Sequence, residues 1–335
     1  MRLNEPVPLL MLLSPSSNRV YAGEAPRLAA AELAVTAGVE VEPVVIAGVD
    51  YLRIDADADP RILDAVATLS ARLGLYEEVS GLLRPIELPK VDLLDEDLVT
   101  IPKYPGKTNE QLTRLLLNVT LSQVVAGPGV RTVLDPLCGR GTTLLQAWRL
   151  GHDAAGVEVD EKAIEAFAAY LKTYLRRKRI KHTAEMTPVR REGKSLGKRF
   201  DADVTVDGKS LSLGIFTGDT RQSAKLWGKR RFDAIVTDAP YGIVHGSTSD
   251  VRGGTRRDRS ASGLLADAIP VWVSQLRIGG ALGMSWNTLG TPRERVAELL
   301  TKSGLVVRDE GPWRHFSHRV DSSVHRDVIV AVRES

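Results

Sequence analysis

The chain has a single cysteine, Cys138, and no long apolar segment. One cysteine excludes an intramolecular disulfide framework and is typical of a reducing compartment. No apolar run approaches the roughly 20 residues that a helix needs to span a bilayer, so we expect no membrane partner. Glu5, Pro6 and Pro8 interrupt the short apolar patch near the N-terminus. We therefore expect a buried first strand there rather than a signal peptide, and a cytoplasmic protein.

The chain also lacks the motifs of three common ligand sites. It contains no complete Gly-x-x-x-x-Gly-Lys-Ser/Thr P-loop, and its Gly139-x-Gly141 turn lacks the third glycine of a dinucleotide fingerprint. The histidines of residues 311–327 match no zinc-ligand spacing, so we expect no metal site. We expect Trp313, Phe316 and their neighbours to be core residues or the rim of a pocket.

Charge is unevenly distributed along the chain. Residues 1–100 contain 8 Lys/Arg and 17 Asp/Glu, a net charge of −9. Because the whole chain has a net charge of +3, residues 101–335 carry a net charge of +12. A basic half favours a polyanionic partner such as nucleic acid. The alternative is a solvated basic face with no partner.

The pattern of apolar residues predicts a small α+β domain followed by a larger α/β domain. Residues 1–84 combine strands at 7–14 and 40–54 with helices at 24–38 and 59–74, and Asp59 and Pro60 are typical of a helix start. Residues 85–106 contain four prolines and are interpreted as the linker. Residues 107–335 alternate strands and helices, which predicts a Rossmann-like sheet of seven strands covered on both faces.

A basic insertion interrupts this alternation at about residues 176–214. Residues 176–199 contain 10 Lys/Arg and 2 Glu, and the residues that follow alternate in polarity around Asp207-Gly208, which predicts a hairpin turn.

Acidic residues end three of the predicted strands at the carboxyl edge of the sheet. Asp135 precedes the Gly139-x-Gly141 turn, whose glycines let a ligand approach the backbone. Glu158, about twenty residues later, is placed to accept ribose hydroxyls, and Asp219 is placed to accept an adenine amino group. A plain helix cap is the alternative for Asp219, and it is our interpretation of Asp160. Together these residues predict a pocket for an adenosine ligand with an unphosphorylated tail.

Two segments, "LDPLCGRGTTLLQA" (134–147) and "TDAPYG" (237–242), resemble the S-adenosylmethionine-dependent amino-methyltransferases, whose signature is Asp/Asn-Pro-Pro-Tyr/Phe. More narrowly, they resemble the tRNA guanosine N2-methyltransferase family that acts on the guanosine ten positions from the 5′ end. The similarity covers roughly residues 107–335, and Ala239 stands where the signature has its first proline. The resemblance implies that S-adenosylmethionine is held at its methionine part by Asp135, Gly139 and Gly141, at its ribose by Glu158, at its adenine by Asp219 and at its amino-acid end by Thr108 and Asn109.

The Asp-Ala-Pro-Tyr segment is then the expected catalytic loop. An exocyclic amine is a poor nucleophile because its lone pair is delocalised into the base, and acceptors at Asp238 and the Ala239 carbonyl favour its attacking geometry. Pro240 restricts the backbone, and Tyr241 offers a ring on which an extruded base can stack. Such a transfer needs neither a metal nor a covalent intermediate.

We expect contacts to RNA from two basic segments. One is Arg176, Arg177, Lys178 and Arg179 in the insertion, and the other contains Arg256 and Arg257 in the Gly- and Arg-rich stretch 250–260. A solvated, mobile loop is the alternative for the second segment.

The sequence thus predicts N-methylation of an exocyclic amine of a nucleic acid base, foremost guanine N2 in tRNA or another structured RNA. The alternatives are N-methylation of DNA adenine or cytosine, N-methylation of a small molecule or a protein amide, and a non-catalytic nucleic-acid-binding protein. The acidic pocket disfavours the last of these, because binding alone would not require it.

Overall fold

The computed structural model describes residues 8–16, 19–125, 127, 129–191, 194–240 and 261–335. They contain two sheets, a five-stranded antiparallel sheet in the N-terminal part and a ten-stranded mixed sheet in the remainder. The mixed α/β fold class expected from the sequence is confirmed. None of the helices in this part of the chain has the length and apolar character that a bilayer crossing requires.

The N-terminal sheet has the strand order β2-β3-β1-β4-β5. Its elements are β1 (Leu9–Leu13), α1 (Arg19–Ala37), β2 (Val41–Ile46), β3 (Val49–Ile54), α2 (Pro60–Thr68), β4 (Arg72–Val79) and β5 (Leu82–Ile86). The predicted cap is confirmed, since the Asp59 carboxylate accepts a hydrogen bond from the Ile62 backbone N–H at 2.9 Å.

Two predictions for this part were wrong. Residues 40–54 form a hairpin rather than one strand, with Ala47 and Gly48 in its turn at φ of 51° and 81°. The helix predicted for 59–74 ends at Thr68, and Gly74 lies in β4. The Ser70 N–H donates to the buried Glu32 carboxylate instead of a helical carbonyl, so an interaction between distant residues ends the helix.

The larger sheet has the order β13-β15-β12-β11-β6-β7-β10-β9-β8, and β14 pairs with β15. The seven predicted strands form a contiguous block of it from β13 to β10. The insertion adds the hairpin β8–β9, which extends the sheet beside β10. The predicted turn is confirmed, because Asp207 and Gly208 connect β9 to β10 with φ of 49° and 75°.

The strands of this part are β6 (Thr132–Asp135), β7 (Asp153–Glu158), β8 (Lys181–Arg191), β9 (Lys194–Val206), β10 (Lys209–Thr217), β11 (Phe232–Asp238), β12 (Leu276–Asn287), β13 (Val306–Arg308), β14 (His318–Arg319) and β15 (His325–Val332). The helices are α3 (Asp97–Thr100), α4 (Glu110–Leu121), α5 (Thr142–Arg149), α6 (Glu161–Arg177), α7 (Ser223–Trp227), α8 (Ala261–Gln275) and α9 (Arg293–Lys302).

The strand order reverses between β6 and β11. From β6 the chain moves outward through β7 to β10 and then returns to the other side of β6, where β11 and β12 follow. All five of these strands are parallel. A crevice forms at the carboxyl ends of such neighbouring strands, because their connections leave in opposite directions. Asp135 and Asp238 end these two strands.

The segment that links the two sheets is packed against the half that contains the larger sheet. Leu94, Leu98 and Val99 are buried in one core with α4 and α5. Asp92 forms ion pairs with Arg114 of α4 and Arg149 of α5. Apolar burial and these charges therefore hold residues 92–99 in place.

Candidate active site

Carboxylates meet at the carboxyl edge of the parallel sheet, as expected from the sequence. Asp135, Glu158 and Asp238 are the last residues of β6, β7 and β11. Asp219 lies two residues after β10. Parallel strands bring these side chains to one edge although they are far apart in the sequence.

The Asp238 carboxylate is held from three directions. Thr108 Oγ1 donates to its Oδ2 at 2.8 Å, and Ser285 Oγ donates to its Oδ1 at 2.5 Å. The guanidinium of Arg326, itself buried, lies 3.5 Å from Oδ2. The Asp238 side chain keeps 16% of its surface exposed. It is thus fixed in orientation while remaining accessible to a ligand.

The residues after Asp238 continue the same edge. Ala239 is buried, and its N–H donates to the Ser285 carbonyl at 2.8 Å, so the backbone of the loop is tied to β12. Pro240 is half-buried. Tyr241, predicted as the stacking ring, lies outside the described residues, as do Arg256 and Arg257.

The glycine turn is connected to Glu158. The Gly139 N–H donates to Glu158 Oε2 at 2.8 Å, and the Asp160 N–H donates to Oε1 at 2.8 Å. Burial raises the pKa of Glu158, although these hydrogen bonds oppose the shift. A β-carbon at Gly139 would have no atom within 4 Å, so the space beside this backbone is open to a ligand.

Gly141 is required for a different reason. It precedes α5 with φ of 76°, and a β-carbon there would lie 2.6 Å from Cδ2 of Phe167. Both the left-handed backbone and the ring of Phe167 therefore demand glycine. The turn can adopt its sharp bend only without a side chain at this position.

Asp135 is a buried carboxyl at the centre of the crevice. It accepts hydrogen bonds from the Leu137 N–H at 3.0 Å and from Thr237 Oγ1 at 2.8 Å. Burial raises its pKa to about 7, since these donors and Thr143 compensate only in part. A cationic ligand group nearby would favour its ionised form.

Asp219 caps the helical turn that follows it, which was the alternative interpretation of this residue from the sequence. Its carboxylate accepts from the Arg221 N–H at 2.8 Å and pairs with the Arg221 guanidinium at 2.6 Å. Burial alone would raise its pKa, but the hydrogen bonds and charge of Arg221 outweigh this and lower it. Asp160 is likewise a cap, as predicted, and accepts from the Lys162 N–H at 2.9 Å.

The start of α4 lies beside Asp238. Thr108, predicted from the sequence to contact the cofactor, donates to Asp238. Asn109 caps α4 by accepting from the Leu112 N–H at 3.0 Å, and its amide donates to Ser16 Oγ at 3.3 Å.

The basic group at the end of α6 lies away from this edge. Lys181 pairs with Thr205, which pairs with Ser210 at the start of β10, whereas Thr217 ends β10 at the site. Seven residues of strand separate these positions, which is about 23 Å. The exposed side chains of Arg176, Arg177 and Arg179 are at the far end. Lys178 is engaged in ion pairs with Asp95 at 2.8 Å and Asp97 at 2.5 Å.

Sequence reasoning missed Ser285 and Arg326. Ser285 is paired with Asp238 across parallel strands, so its place at the end of an apolar strand was a usable signal. Arg326 is the second residue of the antiparallel strand β15 and reaches the edge from the opposite direction. The sequence predicted that Trp313, Phe316 and their neighbours are core residues or the rim of a pocket. Phe316 and His318 are buried.

Comparison with known proteins agrees with this geometry. A family model described as "RMKL-like, methyltransferase domain" matches residues 101–253. The chain carries a methyltransferase domain. The resemblance inferred from the sequence is thereby confirmed for this domain, which contains the glycine turn, Glu158 and the Asp238 loop. In the described residues no group of three or more His, Cys, Asp and Glu is arranged to hold a metal ion.

One curated relative is the tRNA (guanine(10)-N2)-dimethyltransferase of Methanothermobacter thermautotrophicus. It is 26% identical over 210 residues, which are 57% of this chain and 50% of the relative. The chain therefore matches about half the length of that protein.

Solved structures give a weaker likeness. TrmN from Thermus thermophilus is 16% identical with a TM-score of 0.41, over 88% of this chain and 60% of TrmN. The T. thermophilus 16S rRNA N2 G1207 methyltransferase RsmC, solved with AdoMet and guanosine, is 17% identical with a TM-score of 0.37, over 90% of this chain and 59% of RsmC. Scores this low support no conclusion about substrate.

Proposed function

We propose that the protein is an S-adenosylmethionine-dependent N-methyltransferase that modifies guanine N2 in tRNA or another structured RNA. The observation that carries the proposal is the Asp238 carboxylate, held by Thr108, Ser285 and Arg326 at the switch point beside the glycine turn. The activity named for the curated relative, methylation of guanine N2 in tRNA, supports the choice of base.

The residues around the glycine turn fit S-adenosylmethionine. The open space beside Gly139 admits the ligand to the backbone, and the Glu158 carboxylate is placed to accept ribose hydroxyls. The buried Asp135, whose pKa is raised to about 7, suits a ligand that carries an ammonium and a sulfonium charge. When bound, the cofactor supplies an electrophilic methyl group.

The chain's own residues orient the amine that accepts this methyl group. The nitrogen would form an N–C bond as the S–C bond breaks to leave a neutral thioether. The amine N–H donates a hydrogen bond to the Asp238 carboxylate, and the proton that the nitrogen loses would pass by way of this carboxylate to solvent. Thr108 and Ser285 each donate to one carboxylate oxygen, which fixes the orientation of the carboxylate. Orientation of this kind lowers the entropic part of the barrier. We infer that Tyr241, two residues beyond Ala239, provides the stacking face for the base.

The β8–β9 hairpin is the surface we propose for the nearer RNA contacts. Thr187 pairs with Arg199, which pairs with Phe216 one residue before the end of β10, so residues 188–191 of β8 and 194–198 of β9 extend past the carboxyl edge. In the sequence, residues 188–198 contain four Lys/Arg and one Glu. We propose Arg176–Arg179 as a more distant contact, together with Arg256 and Arg257 after the catalytic loop.

Mass spectrometry of nucleosides tests the function. The protein is incubated with S-adenosylmethionine and tRNA from cells that lack its gene, and the RNA is digested to nucleosides. We expect N2-methylated guanosine with the native protein and none with Asp238→Ala. Methylation of adenine N6 or cytosine N4, or no modified nucleoside, would contradict the proposed substrate.

A further inference from the structure

A second polar site lies between the two sheets, away from the methyl-transfer edge. Three arginines from different parts of the fold surround the carboxylate of Asp92. Arg114 lies 2.6 Å from it, Arg149 3.1 Å and Arg72 3.3 Å. Arg114 and Arg149 are buried, and the Arg72 side chain is 24% exposed.

The charges of this cluster do not balance. One carboxylate contacts three guanidinium groups, which leaves a surplus of two positive charges. Burial lowers the pKa of Arg72 and Arg149, and the charge of Arg114 lowers both further. The arginines thus repel one another in a partly dehydrated place, where the repulsion is screened less than at the surface.

The arginines line a cavity of about 120 Å³. This volume is well above what one water molecule needs. Arg114 Nη2 is buried and has no hydrogen-bond partner among the described residues. Exposed neighbours in the lining, Leu73 at 60% and Glu96, leave one side open to solvent.

Two other carboxylates in the lining do not cancel the surplus. Glu110 forms an ion pair with Lys107. Glu96 is exposed, so water screens its charge. Glu32 lies behind Ser70, and because burial raises its pKa to about 7, its charge is only partly present at neutral pH.

We propose that this cavity binds a phosphate-class oxyanion, held by Arg72, Arg114 and Arg149. A phosphate dianion would match the two surplus charges, and guanidinium groups bind such oxygens in paired hydrogen bonds. Its ligand is either free phosphate or a phosphate group of the bound RNA. The site does not depend on the proposed methyl transfer.

Thermal unfolding of the full chain in sodium phosphate, with sodium chloride at equal ionic strength as reference, tests the proposal. We expect a saturable rise in unfolding temperature with phosphate. Arg72→Met removes the most exposed of the three arginines and should raise the half-saturating concentration at least tenfold. Arg84→Met is the matched control, since Arg84 lies on the neighbouring strand and pairs with Glu77. It should titrate like the native protein.

A second variant separates binding from folding. Asp92→Asn removes the one carboxylate that contacts the three arginines, so it should lower the unfolding temperature in chloride and enlarge the rise caused by phosphate. Equal titrations for the native protein, Arg72→Met and Arg84→Met would show only a general salt effect and would overturn the proposal. So would a phosphate response identical to that of chloride.

RNA binding then distinguishes the two sources of phosphate. If the ligand is an RNA phosphate, Arg72→Met weakens the binding of unmodified tRNA and free phosphate competes with it. If the ligand is free phosphate, tRNA affinity is the same for Arg72→Met and Arg84→Met.

Discussion

Replacement of Gly141 by alanine should destabilise the protein through two separable effects. At φ of 76°, a side chain costs about 1–2 kcal/mol in backbone energy. The added β-carbon would also lie 2.6 Å from Cδ2 of the Phe167 ring, an overpacking that typically costs about 1–3 kcal/mol. The sum, about 2–5 kcal/mol, is a large part of the stability of an ordinary domain.

Gly139→Ala is the matched control for this change. Gly139 also has a positive φ, 51°, but its β-carbon would meet no atom within 4 Å. Urea unfolding should therefore show a loss of about 1–2 kcal/mol for Gly139→Ala and a clearly larger loss for Gly141→Ala. In a Phe167→Leu background the extra cost at Gly141 should shrink. Equal losses at the two glycines, or no relief from Phe167→Leu, would refute the steric argument.

Three further predictions concern the catalytic loop and the buried carboxyl of α1. Asp238→Ala should abolish methyl transfer and leave S-adenosylmethionine affinity, measured by calorimetry, nearly unchanged; a large loss of affinity would mean that Asp238 serves the cofactor. Ser285→Ala should lower kcat about 10- to 100-fold, because a hydrogen bond to a charged group contributes about 1.5–3 kcal/mol; an unchanged kcat would remove Ser285 from the mechanism. Glu32, with a pKa raised by burial from 4.5 to about 7, disfavours folding as pH rises through this range. Between about pH 5 and pH 8, the range that spans this pKa shift, the free energy of unfolding should therefore decline less steeply for Glu32→Gln than for the native protein. An equally steep decline in the two proteins would contradict the raised pKa of Glu32.

The parallel sheet and its carboxyl edge were predictable from local patterns. Apolar runs that end in Asp135, Glu158 and Asp238 specify both the strand and the place where it stops. Since parallel strands end at one edge, their terminal residues meet without any knowledge of register. The glycine turn was also predictable from the local sequence, because the positive φ of Gly139 and Gly141 and the start of α5 favour glycine there.

The partners of Asp238 could not be predicted in the same way. Its contact with Ser285 depends on the register of β11 against β12, and its contact with Arg326 depends on an antiparallel strand 88 positions later. Long-range contacts also ended α2 at Thr68, where the sequence suggested a longer helix. These features follow from packing between distant segments, which local periodicity does not report.

The charge pattern gave a similarly incomplete picture. Composition identified a basic insertion, but only the strand register shows that Arg176–Arg179 lie at the opposite end of the β8–β9 pair from Arg191 and Lys194. Lys178 is occupied by Asp95 and Asp97 from the segment interpreted as a linker. A count of basic residues does not reveal such internal pairing.

A crystal structure with bound S-adenosylmethionine tests the central claim most directly. We expect density for the ligand between the Gly139–Gly141 turn and Glu158, with its methyl group directed toward the Asp238 carboxylate. Density for the ligand elsewhere, or a methyl group directed away from Asp238, would contradict the proposal that this edge of the sheet performs methyl transfer.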